Sequence, residues 1–390
     1  MRLRAAAFLS SFDRFTIPPL LVPIHDALGI SLGTAAVVAS VYFVTYGLSQ
    51  PLWGGLSDRF GRTPVLRLAI AGGGLAALVS AVAPTVAVLM IGRGLAGLFF
   101  AAAMPTAMTY VGDTVSERER QSKLAVLMAF ATAGVACGTV VGGALAQFWS
   151  WRVAFLASAV LAAGVSLLLV HLPEPTAPRP TAGFLRQVRE IASDRWVRVV
   201  VALALVEGAV VFGALTFVAA SLQDQGVGAA LAGSAAAGFG LANSLCTPIV
   251  TRAIGRRSSP VLIAGGASLA AAGLLLTALD ATVATAVIAT LALGSGFGFL
   301  HSTLQMWATQ VHPAARAVTI SFFAGAVFTG GAIASAAAAP LVDAGRFSVV
   351  FLAAAVGAAG LALVGSLARG RYLEDRHPAP AGPEPAGVTP

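Results

Sequence analysis

Gly54-Gly-Leu-Ser-Asp-Arg-Phe-Gly-Arg62 ends one long apolar run and precedes another. The run before it covers residues 33–56 and the run after it residues 64–83. Each exceeds or meets the roughly 20 apolar residues that a helix needs to cross a bilayer. An acid, Asp58, and two arginines, Arg59 and Arg62, therefore stand where the chain leaves lipid and turns back. Gly54 and Gly55 let a second helix approach closely, and Gly61 punctuates the turn. Asp58 is placed to accept hydrogen bonds from a helix N-terminus, where negative charge is stabilised.

The rest of the chain repeats this alternation of lipid and loop. Hydrophobic residues make up 57% and charged residues 10%, with a mean hydropathy of +0.86; soluble domains are about 25% charged. Lipid must be the solvent for most of the surface. Twelve apolar segments can be marked, at 5–25, 33–56, 64–83, 85–110, 122–147, 152–171, 197–221, 228–251, 260–279, 282–308, 317–340 and 347–368. Only helices and closed barrels satisfy the backbone in lipid. The segments are continuous rather than alternating and far longer than a barrel strand of about ten residues. The expectation is an all-α membrane protein of twelve helices.

Basic residues orient it. Of 24 lysines and arginines, 20 fall on the side that carries both termini, only Arg152 and Arg346 on the other, and Arg14 and Arg93 within spans. The positive-inside rule then makes both termini cytoplasmic and favours the plasma (inner) membrane. This accounts for the net charge of +8 without nucleic acid. Cys137 and Cys246 lie inside apolar runs, so neither a disulfide framework nor a metal site is implied. Asp13 and Arg14 interrupt the first run, which therefore reads as an uncleaved span rather than a signal peptide. The longest polar interruption, 172–196, begins with prolines that stop the sixth helix. Its basic remainder from Phe184 suits a short helix on the inner surface. It separates a bundle over 1–171 from one over 197–368, and 369–390 reads as a disordered cytoplasmic tail.

The halves echo each other. Phe60-Gly61-Arg62 recurs as Ile254-Gly255-Arg256, and Arg120 and Arg316 precede the fifth and eleventh spans. Internal repeats mark many transporter folds. In the second copy Arg252 stands where the first has Asp58, so the halves are not equivalent.

These motifs identify a family resemblance. Gly54-x-Leu-x-Asp58-Arg59-x-Gly61-Arg62 resembles the loop motif between the second and third spans of major facilitator superfamily (MFS) transporters. Leu89-x-x-x-Arg93-x-x-x-Gly97 is similar to the arginine motif of the fourth span. Gly134-x-x-x-Gly138-Thr139-x-x-Gly142-Gly143, followed by Trp151-Arg152-x-x-Phe155, resembles the fifth-span motif of twelve-span drug:proton antiporters. The resemblance covers residues 5 to 368. It implies two pseudo-symmetric six-helix bundles around a central cavity, working by alternating access. It also implies that Asp58 meets the start of the eleventh span, near Arg316 to Thr319, and holds the cytoplasmic gate shut. Thr139 departs from the family, which usually has proline there. A threonine hydroxyl can return to the backbone of the preceding turn and bend a helix mildly.

Ionisable residues within spans are functional by default, because burying them is costly. At about 1.5 Å per residue, Asp13 and Arg93 both lie roughly 12 Å deep and Glu207 about 15 Å. Three charges from three helices converge near the midplane. Asp13 is the expected proton-coupling acid, switched by Arg93, against the alternative of a static ion pair. Glu207 shares the coupling, attracts cationic cargo, or pairs with Arg14. His301 joins a proton relay or is a histidine bonded between helices. Tyr42, Phe43, Tyr46 and Gln50 recur on one helical face and either line the cavity, face lipid or pack between helices; His301 is a further candidate for the cavity, and Pro18-Pro19 should kink the first span.

The expected function is proton-coupled efflux of small amphipathic compounds by a monomer embedded in the bilayer. An importer or uniporter of a sugar, organic acid or amino acid is the alternative of the same fold. A non-transporting sensor or scaffold is the alternative of another class. No enzyme activity, cofactor or bound metal is expected. No Gly-x-x-x-x-Gly-Lys-Ser/Thr stretch occurs, so no ATP site is read. The cargo itself is not written in one sequence.

Overall fold

The computed structural model describes residues 1–175, 184–254 and 256–376. Eleven helices among them are long and apolar enough to cross a membrane: Leu32–Phe60, Arg62–Ala81, Val86–Thr114, Glu117–Phe148, Trp151–Leu169, Arg195–Asp224, Ala229–Ile254, Ser259–Leu279, Val283–Val311, Pro313–Asp343 and Phe347–Asp375. They are the second to twelfth spans. The first span is broken into Arg2–Thr16, a 3-10 turn at Pro18–Leu20, and Leu21–Leu28. Pro18 and Pro19 each lack a backbone donor, and the tight turn absorbs the deficit. No single piece is long enough to span alone, yet together they complete twelve.

Twelve crossings bring both ends of the chain to one face, here the termini end; the other is the far end. Three other spans change form midway, the eighth at Ala237 between Ala229–Ala236 and Gly238–Ile254. The fourth breaks between Phe100 and Ala103, and the seventh contains a π turn at Ala209–Gly213. The linker forms a helix at Phe184–Ser193 whose Ile191 is buried. The proline-rich stretch 176–183 and Gly255 lie outside the described residues, as does the expected tail from residue 377. The tail boundary needs correction: the twelfth helix continues through Arg369 to Asp375. Arg369 is buried, donates to Gln310 Oε1 at 2.9 Å and lies over the rings of Trp307 and Tyr372. An arginine held by a neighbouring helix extends the span beyond its apolar run.

The two sets of six spans meet along two seams, the second span against the eleventh and the fifth against the eighth. The hydrogen bonds that cross between the sets, among the described residues, all lie at the far end. Ser31 and Gly33 donate to Asp343, Gln223 donates to the Pro19 carbonyl at 3.1 Å, and the Ala230 N–H donates to Gln147 at 2.8 Å. Toward the termini end no hydrogen bond joins the two sets among the described residues, and most of residues 117–126, 251–254 and 256–258 are exposed. The bundle is bonded shut at its far end and, among the described residues, carries no such bonds toward its termini.

Candidate functional site

Asp13 and Arg93 meet inside the first set. Both are 0% exposed. Arg93 Nη1 reaches the two carboxylate oxygens at 3.2 and 3.1 Å, while its Nε donates to Ser80 Oγ at 2.9 Å. Its guanidinium lies 4.2 Å from the centre of the Phe155 ring and 5.7 Å from that of Tyr42. Phe155 belongs to the Trp-Arg-x-x-Phe stretch, so two sequence motifs converge on one ion pair. Leaving either partner alone in such a place is expensive, which ties the first span to the fourth.

Helix geometry turns Arg14 away from Asp13 by about 100°, and it goes elsewhere. Its guanidinium sits 4.7 Å from the Tyr46 ring centre and 4.6 Å from that of Phe328, and it is only 9% exposed. Tyr46 is on the second span and Phe328 on the eleventh, so both sets hold it. Its Nε has no hydrogen-bond partner and it has no carboxylate within ion-pair distance among the described residues.

Glu207, 0% exposed, pairs with His301 rather than Arg14. His301 Nδ1 stands 3.2 Å from Oε1, and Oε2 has no partner among the described residues. The His301 ring stacks on Phe297 at 4.4 Å. Glu207 lies two residues before the π turn, and such turns often accompany functional positions. The midplane charges thus form two separate pairs, Asp13–Arg93 and Glu207–His301, with Arg14 between the sets.

Around Arg14 runs an aromatic layer that the sequence reading largely missed. Phe15 and Phe43 contact Phe212 at 5.8 and 6.2 Å, Tyr46 contacts Phe328 at 4.6 Å, and Phe239 packs on Phe297 at 5.5 Å. Phe43 and Tyr46 were legible from their spacing. The C-terminal members come from four different spans, and no local pattern links them. Tyr42 stacks on Tyr46, and Gln50 is buried further along the same helix.

The glycines of the fifth span serve backbone contact. A Cβ at Gly134 or Gly138 would strike the carbonyl of Phe8 or Phe12, and one at Gly142 would lie 3.0 Å from that of Thr16. A Cβ at Gly143 would strike the carbonyl of Ala229 in the eighth span. One stripe therefore packs on the first span, and its last member reaches across to the other set. The Thr139 hydroxyl donates to the Ala136 carbonyl at 2.9 Å, the backbone return its side chain allows.

The opening loop is arranged differently from the expected latch. Asp58 pairs with Arg62, whose Nε also reaches Asp113 at 3.0 Å. Among the described residues Asp58 makes no hydrogen bond to the eleventh span. Glu174 instead caps a helix here: its carboxylate accepts from the N–H groups of Arg62 and Thr63, both at 2.7 Å. Gly61, at φ +102°, makes the turn that exposes those donors. Arg59 is exposed beside Phe60. Glu174 lies in the linker, far away in sequence, and only the fold brings it to the third span.

A family model described as Major Facilitator Superfamily matches residues 5–336. The chain belongs to the major facilitator superfamily. MFS proteins are transporters, not enzymes, and this chain is a multi-pass membrane member. Efflux pump dotC of Dothistroma septosporum is 32% identical over 179 residues, covering 45% of this chain and 30% of its own length. Citrate exporter 1 of Aspergillus niger is 30% identical over 178 residues, covering 46% of this chain and 34% of its own. The matches thus span about a third of those relatives. Among solved structures, a bacterial homologue of the human lysosomal transporter Spinster, inward-facing and unoccupied, superposes with a TM-score of 0.78 at 18% identity. The superposition covers 97% of this chain and 98% of that one. That likeness concerns the fold.

Proposed function

We propose that this MFS transporter exports small amphipathic compounds in exchange for protons. The observation that carries the reading is the fully buried Asp13–Arg93 pair within a bundle closed at one end. A buried carboxylate held by a single cation can take up a proton in place of that cation when the cation moves away. Movement of Arg93 with the opening of the bundle couples the two. Glu207 with His301 forms a second buried acid and contributes to the same coupling.

The excess of basic residues at the termini end supports placing that end in the cytoplasm, and our reading sets the protein in the plasma membrane. The end without bonds between the sets then faces the cytoplasm, from which an exporter loads. Arg14 supports a finer statement about cargo. With the carboxylates occupied by Arg93 and His301, the charge available between the sets is positive and surrounded by aromatic rings. An aromatic or aliphatic body bearing an acidic group matches it. Expression in an efflux-deficient bacterial host tests the proposal. Susceptibility to amphipathic acids should fall, and a proton uncoupler should abolish the protection. Unchanged susceptibility across acidic, neutral and cationic compounds would reject export.

A further inference from the structure

We infer that Asp343 is a gate residue: the far-end counterpart of Asp58, latching the eleventh span to the second. The second and eleventh spans run antiparallel, and their contacts keep one register. Gly33 faces Ala339 and Asp343, Gly47 faces Gly325 and Thr329, and Gly54 faces Ser321. Continued by one turn, that register sets Asp58 opposite the start of the eleventh span.

At the far end the latch is engaged. Asp343 is the last residue of the eleventh span, and it accepts from the Gly33 N–H at 2.6 Å and the Ser31 hydroxyl at 2.9 Å. Ser31 is the N-cap of the second span and Gly33 lies in its first turn. A carboxylate from one helix thus satisfies the free donors and the positive end of the other. A Cβ on residue 33 would lie 2.7 Å from both the Asp343 carboxylate and the Ala339 carbonyl, so glycine is what admits the end of the eleventh span. At the termini end the mirror arrangement is released, with Asp58 turned to Arg62.

The two helices touch backbone to backbone midway, where a Cβ on Gly325 would lie 2.6 Å from the Gly47 carbonyl. Clearance then grows to 3.7 Å between a Cβ on Gly54 and Ser321 Oγ. Both latches stand roughly 15–25 Å from that crossing, at about 1.5 Å per residue. Stiff helices rocking on a fixed contact close one end as they open the other, so the two carboxylates engage alternately.

This inference rests on alternating access but not on the cargo or the ion, and its test needs neither. In a chain with Cys137 and Cys246 replaced by alanine, spin labels on V82C and L279C report the far end, and labels on R118C and R257C the termini end. Distances are measured by double electron–electron resonance in lipid nanodiscs. Asp343→Asn should raise the far-open population at least threefold, Asp58→Asn should lower it, and the double variant should return toward the parent ratio. Gly33→Ala, which leaves Asp343 intact, should shift the distances as Asp343→Asn does, and it decides the matter if that variant fails to fold. Unshifted distributions in Asp343→Asn and Gly33→Ala, or a shift in the same direction as Asp58→Asn, would overturn the assignment.

Discussion

Asp13, Arg93 and Glu207 were identifiable from the sequence because charge within an apolar run has to be explained. Their partners were only partly identifiable. Depth along a helix is arithmetic, and it brought Asp13 and Arg93 to one level. Which way a side chain points across a bundle depends on neighbours from other spans, so Glu207 was offered Arg14 and instead took His301. Arg14 followed from helix geometry as pointing away, but its aromatic cage required the meeting of Tyr46 and Phe328 from opposite sets. The recognition role we propose for it makes a prediction. Arg14→Gln should weaken transport of 1-naphthoate by about tenfold or more, the scale of losing one charge-assisted hydrogen bond of roughly 1.5–3 kcal/mol. Transport of 1-naphthylmethylammonium should not fall. Flux assays with both compounds read the difference, and parallel losses would mean that Arg14 serves only packing.

Elements were legible where periodicity and punctuation agree. Twelve apolar runs became twelve crossings, and Pro18-Pro19 broke the first of them. The π turn of the seventh span and the break in the fourth carry no such mark, because they answer to tertiary packing. A Cβ on Gly208 would collide with the Val327 carbonyl and one on Gly330 with that of Leu205, so the seventh and eleventh spans touch through their backbones beside the π turn. The fifth-span stripe has the small-residue spacing of close helix packing, but the sequence alone does not name its partner. Gly138→Ala should cost about 1–3 kcal/mol, the usual penalty of forcing a methyl into packed structure. Gly164→Ala, with open space around it, should gain slightly from alanine's better helix propensity. Thermal unfolding of the two purified variants gives the comparison. Equal melting temperatures would show that the first and fifth spans can separate without penalty.

At the scale of the molecule, the loop at Gly54–Arg62 signalled the fold and half of a gate, and the family match confirms the fold. The loop was not legible as a state. On our proposal the Asp58 latch depends on the conformation; in this one Asp58 pairs with Arg62 while Asp343 bonds to the second span at the opposite end. The bonded far end, the unbonded termini end and the buried ion pair together form the account's central claim: proton release and binding at Asp13 drives the exchange of ends. Proteoliposomes with an entrapped pH dye test it most directly, with 1-naphthoate supplied on one side. The wild-type protein should move protons when the compound is added, and Asp13→Asn should carry the compound only down its own gradient, with no proton movement. Compound-evoked proton flux in Asp13→Asn equal to that of the wild type would contradict the account.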